Sequence, residues 1–69
     1  MSNWRKFGNY IFNIDLIEIC WVQAVSSSIS RIFYHSKAGK TDFIPKLEFK
    51  TEKEALEYLI NAIKEDICQ

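Results

Sequence analysis

The sequence predicts an α+β protein: an antiparallel meander of four to five strands, followed by one C-terminal amphipathic helix packed on a face of the sheet. Three observations carry this. Thr51-Glu52-Lys53-Glu54 has the form of a capping box and opens a stretch whose apolar residues recur at helical spacing. Phe43 to Lys50 alternates between apolar and charged side chains, the period of a half-buried strand. Upstream of that, everything reads as strand, in runs separated by short turn signals.

In chain order, Trp4-Arg5-Lys6-Phe7 and Tyr10-Ile11-Phe12-Asn13 flank Gly8-Asn9, a two-residue hairpin signal. Asn13 and Asp15 suit a bend, because short polar side chains hydrogen-bond their own backbone. A strand then covers Leu16 to Val25, and Ser26-Ser27-Ser28 connects it to a strand over Ser30 to His35, where aromatic and β-branched residues predominate. Lys37-Ala38-Gly39-Lys40 is the next turn. In the following strand Phe43, Leu47 and Phe49 are assigned to one face and Lys46, Glu48 and Lys50 to the other, while Pro45, which has no N–H to give, favours an edge. The helix begins after Thr51 and runs over about 52–66, with Leu56, Leu59, Ile60, Ile63 and Ile67 as its core face and Ala55 and Ala62 on the shoulders. Glu65 and Asp66 oppose the helix dipole, so the end is expected to fray over Asp66 to Gln69.

At 69 residues the chain makes a single domain, 1–69, with one core and no room for a deep internal active site. Its 48% apolar content and zero formal charge exclude disorder. The start lacks the unbroken apolar stretch of about 7–15 residues that a secretory signal needs. The longest nearly apolar run, Ile19 to Val25, is too short to span a bilayer, so no membrane role is expected. Cys20 and Cys68 stand far apart without paired spacing, which predicts two free thiols and a cytoplasmic home.

The residues offer little chemistry. His35 is the one histidine, and no nucleophile elbow accompanies it; Ser26, Ser27, Ser28 and Ser30 read as a polar turn, and Cys20 beside His35 as a buried thiol near a rim imidazole. Cys20, His35 and Cys68 come from three separate elements, without the short spacings of a zinc site, and Asp15 and Glu18 suit a bend and a wet face. Gly8 and Gly39 are turn glycines, with no phosphate loop around them. No enzyme activity, metal or cofactor is expected.

Two binding readings remain. Residues 1–50 carry seven Lys/Arg against four acids, a net of +3, and residues 51–69 two against five, a net of −3. A basic sheet face using Arg5, Lys6, Arg31, Lys46 and Lys50, interleaved with Tyr10, Phe33 and Tyr34, would make a nucleic-acid-binding accessory protein. The favoured reading rests on an excess of apolar strand residues. Ile17, Ile19 and Trp21 alternate with Cys20, Val22 and Ala24, so both sheet faces are apolar while one helix covers only one. The second face is covered either by the N-terminal hairpin or by another molecule. The expected protein interface is Trp21, Val22, Phe33, Tyr34 and Arg31, with Trp21 as anchor, and the expected partner is a second copy or another protein.

Asn9-Tyr10-Ile11-Phe12-Asn13-Ile14-Asp15-Leu16-Ile17-Glu18-Ile19, the aromatic strand Arg31-Ile32-Phe33-Tyr34, and Leu47-Glu48-Phe49-Lys50-Thr51-Glu52-Lys53-Glu54-Ala55 resemble a loose group of short, uncharacterised bacterial and phage proteins. That group opens on x-I-N-L-D-x-I-x-x-I-E and closes on L-x-F-x-S/T-x-E-E-A. This chain departs at Phe12, at Lys53 and in its Ser-rich loop. The shared motifs are a bend and a helix cap, so the resemblance implies the fold and lends no catalytic residue. The reading that results is a small non-catalytic interaction module, homodimeric, in a bacterium or phage-infected cell, with a phage or mobile-element inhibitor of a host protein as one form of it.

Overall fold

The computed structural model describes residues 3–64. Ile67, Cys68 and the expected frayed end lie outside the described residues. Five antiparallel strands form two sheets: β1 (Trp4–Phe7) pairs with β2 (Tyr10–Asn13), and β3 (Ile17–Ser26), β4 (Ile29–Ser36) and β5 (Thr41–Phe49) form a sheet in that order. Helix α1 (Glu52–Lys64) follows. The fold is α+β with each strand paired to a sequence neighbour, as the turn signals require.

The β1–β2 turn has a positive φ at Gly8 (60°) and not at Asn9, the II′ pattern that wants glycine first. Between β2 and β3, Asn13 caps a 3₁₀ turn (Ile14–Leu16), its side chain accepting from the Asp15 N–H at 3.0 Å. This bend detaches the hairpin from the larger sheet and folds it back. Arg5 Nε donates to the Ile63 carbonyl, Gly8 N–H donates to the Tyr58 hydroxyl at 2.8 Å, and Phe7 is buried with Ile32, Ile44, Ala55, Leu59 and Ala62. Hairpin and helix therefore lie on the same face of the β3–β4–β5 sheet. The smallest extent of the molecule, 17 Å, accommodates one sheet and one covering layer and no third.

Three expectations about facing are corrected. In α1 the residues turned to the sheet are Ala55, Leu59 and Ala62, with Tyr58 half-buried, whereas Leu56, Ile60 and Ile63 remain 49%, 44% and 39% exposed. Two small side chains let the helix backbone approach the sheet, and the Tyr58 hydroxyl bond holds that rotation. In β5, Phe43 points away from the helix and Ile44 takes the buried place. The cause is a break in register: between the pairs Arg31↔Glu48 and Phe33↔Phe43, residues 44–47 of β5 face the single residue Ile32 of β4. Pro45 sits in this bulge and Lys46 adopts φ 61°, so Ile44 and Leu47 both turn toward Ile32 and the alternation changes parity. In β3 a smaller shift between Ile17 and Ile19 moves Ile17 to the covered side, beside Phe12 and Leu59.

The helix begins as its cap requires: Glu54 N–H donates to Thr51 Oγ1 at 3.2 Å. The reciprocal half differs, for the Glu54 carboxylate accepts from the Thr51 hydroxyl instead of from the cap N–H. Among the described residues no helix is long and apolar enough to cross a membrane.

Candidate protein-binding surface

With helix and hairpin on one side, the other face of the three-stranded sheet is left open among the described residues. Its pairings run straight across the sheet: Trp21↔Phe33 between β3 and β4, then Phe33↔Phe43 between β4 and β5. The rings follow the backbone register, Trp21 stacked on Phe33 with centroids 5.9 Å apart and Phe33 against Phe43 at 5.7 Å. The Arg31 guanidinium lies 4.6 Å over the Phe43 ring and pairs with the Glu48 carboxylate. Trp21 Nε1 donates to Gln23 Oε1 at 3.2 Å, so the indole's one polar group is satisfied on its own strand. At the far end His35 Nδ1 is 2.7 Å from Thr41 Oγ1, and its Nε2 lies 3.8 Å from Glu18.

Of the five residues expected at the interface, Trp21, Phe33 and Arg31 share this open face. Val22 and Tyr34 do not. Val22 pairs with Ile32 and Tyr34 with Cys20, and all four turn to the covered side, where Tyr34 also meets the Phe12 ring at 5.4 Å. Period-two alternation dictates this: neighbours in sequence cannot share a face of a regular strand. Phe43 belongs to the open face and was misassigned to the core because the parity change at Pro45–Lys46 lies between it and Leu47; the proline was the signal available in the sequence.

The basic residues are not gathered. Arg5 is held at the C-terminal end of α1, Lys6 points from the opposite side of β1, Lys46 lies beside the hairpin turn at Gly8–Tyr10, Lys50 precedes the helix, and Arg31 is matched by Glu48 on the aromatic face. Cys20 and His35 occupy opposite faces of the sheet, so the thiol and imidazole form no pair. Cys20 is a free thiol, and burial pushes its pKa up, which favours the unreactive protonated form. Burial, followed by the nearby Asp42 carboxylate, also pushes Tyr34 up.

Two further apolar features were not foreseen. Leu56, Ile60 and Ile63 form an exposed stripe along the flank of α1, with Leu56 and Ile63 beside β3. Beneath the end of that helix a cleft of about 230 Å³ separates the hairpin from β3, lined by Phe7, Phe12, Ile17, Cys20 and Ile44. Hydrophobicity alone points to the wrong side of this helix, because Leu and Ile outrank Ala although Ala55 and Ala62 face the sheet. Comparison with protein-family models, curated proteins and solved structures gave no match to this chain.

Proposed function

We propose that this chain is a small non-catalytic protein-interaction module that works as a homodimer in the cytoplasm. The observation that carries the reading is the placement of both covering elements, hairpin and helix, on one face of the sheet. Trp21, Phe33 and Phe43 are left on the other, and Leu56, Ile60 and Ile63 on the helix flank. The aliphatic helix flank has the composition of a self-association surface, and the aromatic row, with Arg31 and Glu48 beside it, has that of a surface for a protein partner. The scattering of Arg5, Lys6, Lys46 and Lys50 favours protein over nucleic acid as the partner, since phosphate binding needs a continuous basic track.

Sedimentation equilibrium at micromolar concentration tests this. Twice the chain mass of 8.1 kDa is expected, and the mass of one chain throughout that range would overturn the homodimer.

A further inference from the structure

Among the described residues strand β3 borders the sheet on one side, paired only with β4. In a regular antiparallel ladder, residues whose N–H and C=O groups face the neighbouring strand alternate with residues whose groups face away. The Ala24 N–H donates to the Glu52 carboxylate at 3.1 Å, so Ala24 faces away from β4, and through the unbroken register Ile19↔His35 to Ala24↔Ser30 so do Val22 and Cys20. Glu52 thus occupies the Ala24 donor, and Cys20 and Val22 present the open backbone of the edge. Helix α1 runs antiparallel to β3, with Glu52 beside Ala24 and Ile63 near Ile17 and Ile19. Its apolar stripe therefore stands as a wall above this edge.

We propose that a second copy of the chain pairs antiparallel with the free edge of β3 about a two-fold axis at Trp21, joining the two sheets into one of six strands with the two helices side by side. The inference rests on the homodimer reading and specifies how it forms. Three features fit a second copy. With Ala24 already bonded, the register that uses both open residues sets Cys20 opposite Val22 of the second copy, and the reverse, and a two-fold axis satisfies both pairs at once. Spacing agrees as well. Neighbouring strands lie roughly 4.8 Å apart, and α1 packs on β3 and β4 alike, which sets its axis about half a spacing inboard of β3. The symmetry axis lies half a spacing outboard, so the two helix axes come to roughly 10 Å, the distance at which helices interdigitate. Leu56, Ile60 and Ile63 then meet their counterparts. Among the described residues, antiparallel helices also set Glu52 and Glu54 in the first turn of one beside Lys64 in the last turn of the other. On the open face the row Phe43, Phe33, Trp21 continues through Trp21 of the second copy, making one platform of six aromatic side chains.

Three variants of the full chain test the geometry. Val22→Pro removes an N–H that faces away from β4, and Leu56→Glu charges an exposed flank; each is expected to halve the sedimenting mass without changing the far-ultraviolet circular dichroism. Trp21→Cys, made with Cys20→Ser and Cys68→Ser, is expected to form an intermolecular disulfide on mild oxidation, because directly opposed residues fall within disulfide reach. Gln23→Cys in the same background is expected to form none. A dimer that persists in Leu56→Glu, with no cross-link at position 21, would overturn the edge pairing and leave the homodimer standing. A wild-type chain that stays monomeric would overturn both. If Val22→Pro fails to fold, Leu56→Glu and the cross-link decide.

Discussion

Ile32 has no exposed surface, and the bulge in β5 brings Ile44 and Leu47 onto it while Val22 flanks it from β3. In a core of so few buried side chains that contact has no substitute. Ile32→Val should lower stability by about 1 kcal/mol, and Ile32→Ala by about 2–5 kcal/mol, enough to leave much of a domain this small unfolded. Urea midpoints measure both. Cys20 gives a prediction in pH. Its thiol is pushed up by burial, so the proton is held more tightly in the folded chain than in the unfolded one. The stabilisation is fully present below the unfolded thiol's pKa and is lost as pH rises through the higher folded value, so the urea midpoint should begin to fall above about pH 9. Tyr34, raised by burial and by Asp42, acts with the same sign at higher pH. Cys20→Ala should flatten the first part of that fall, and native Cys20 should alkylate far more slowly than the denatured thiol; equal rates would place it in solvent.

Element boundaries follow local chemistry, and local chemistry is what a sequence displays. Thr51 set the helix start, and Thr51→Ala should cost about 1 kcal/mol by leaving the Glu54 N–H without its acceptor, read as a lower denaturation midpoint. Gly8-Asn9, the Asn13–Asp15 bend and the serine turn likewise acted where they stand, and the five strands lie within a residue or two of their expected limits. Facing is a different matter, because it accumulates along an element. One unregistered bulge reverses every assignment carried across it, so a period that fits Leu47 and Phe49 puts Phe43 in the core and misses Ile44. The strained point of that bulge is testable. Lys46 sits at φ 61°, where a side chain costs roughly 1–2 kcal/mol and glycine does not. Lys46→Gly should therefore raise stability by roughly 0.5–1 kcal/mol after the added freedom of the unfolded chain is counted, whereas Lys46→Val should lower it. A midpoint unchanged in both would mean that the turn carries no strain.

The layer that covers the sheet was the least legible feature of the whole molecule. Nothing local to residues 3–16 says which face of a sheet formed later in the chain the hairpin will choose; the choice is made by Phe7 reaching the core and by Gly8 reaching Tyr58, fifty residues away. Alternation puts Trp21, Phe33 and Arg31 together on one face, and the same period puts Val22 and Tyr34 on the other. At this scale the charge scatter predicts feeble, salt-sensitive binding of single-stranded DNA, little changed by Lys46→Ala or Lys50→Ala; tight saturable binding at physiological salt would favour the nucleic-acid reading instead. The two borders of the sheet are unequal, and that inequality governs growth. β3 offers a border in unbroken register from Ile19 to Ala24, whereas β5 is bent out of line at Pro45 and Lys46. In the language of polymer chemistry, a monomer with two reactive ends propagates, and one with a single reactive end terminates at the first condensation. Under the proposed edge pairing the proline-marked kink makes this chain the second kind, so association through β3 would end at two molecules and would not extend into a fibre.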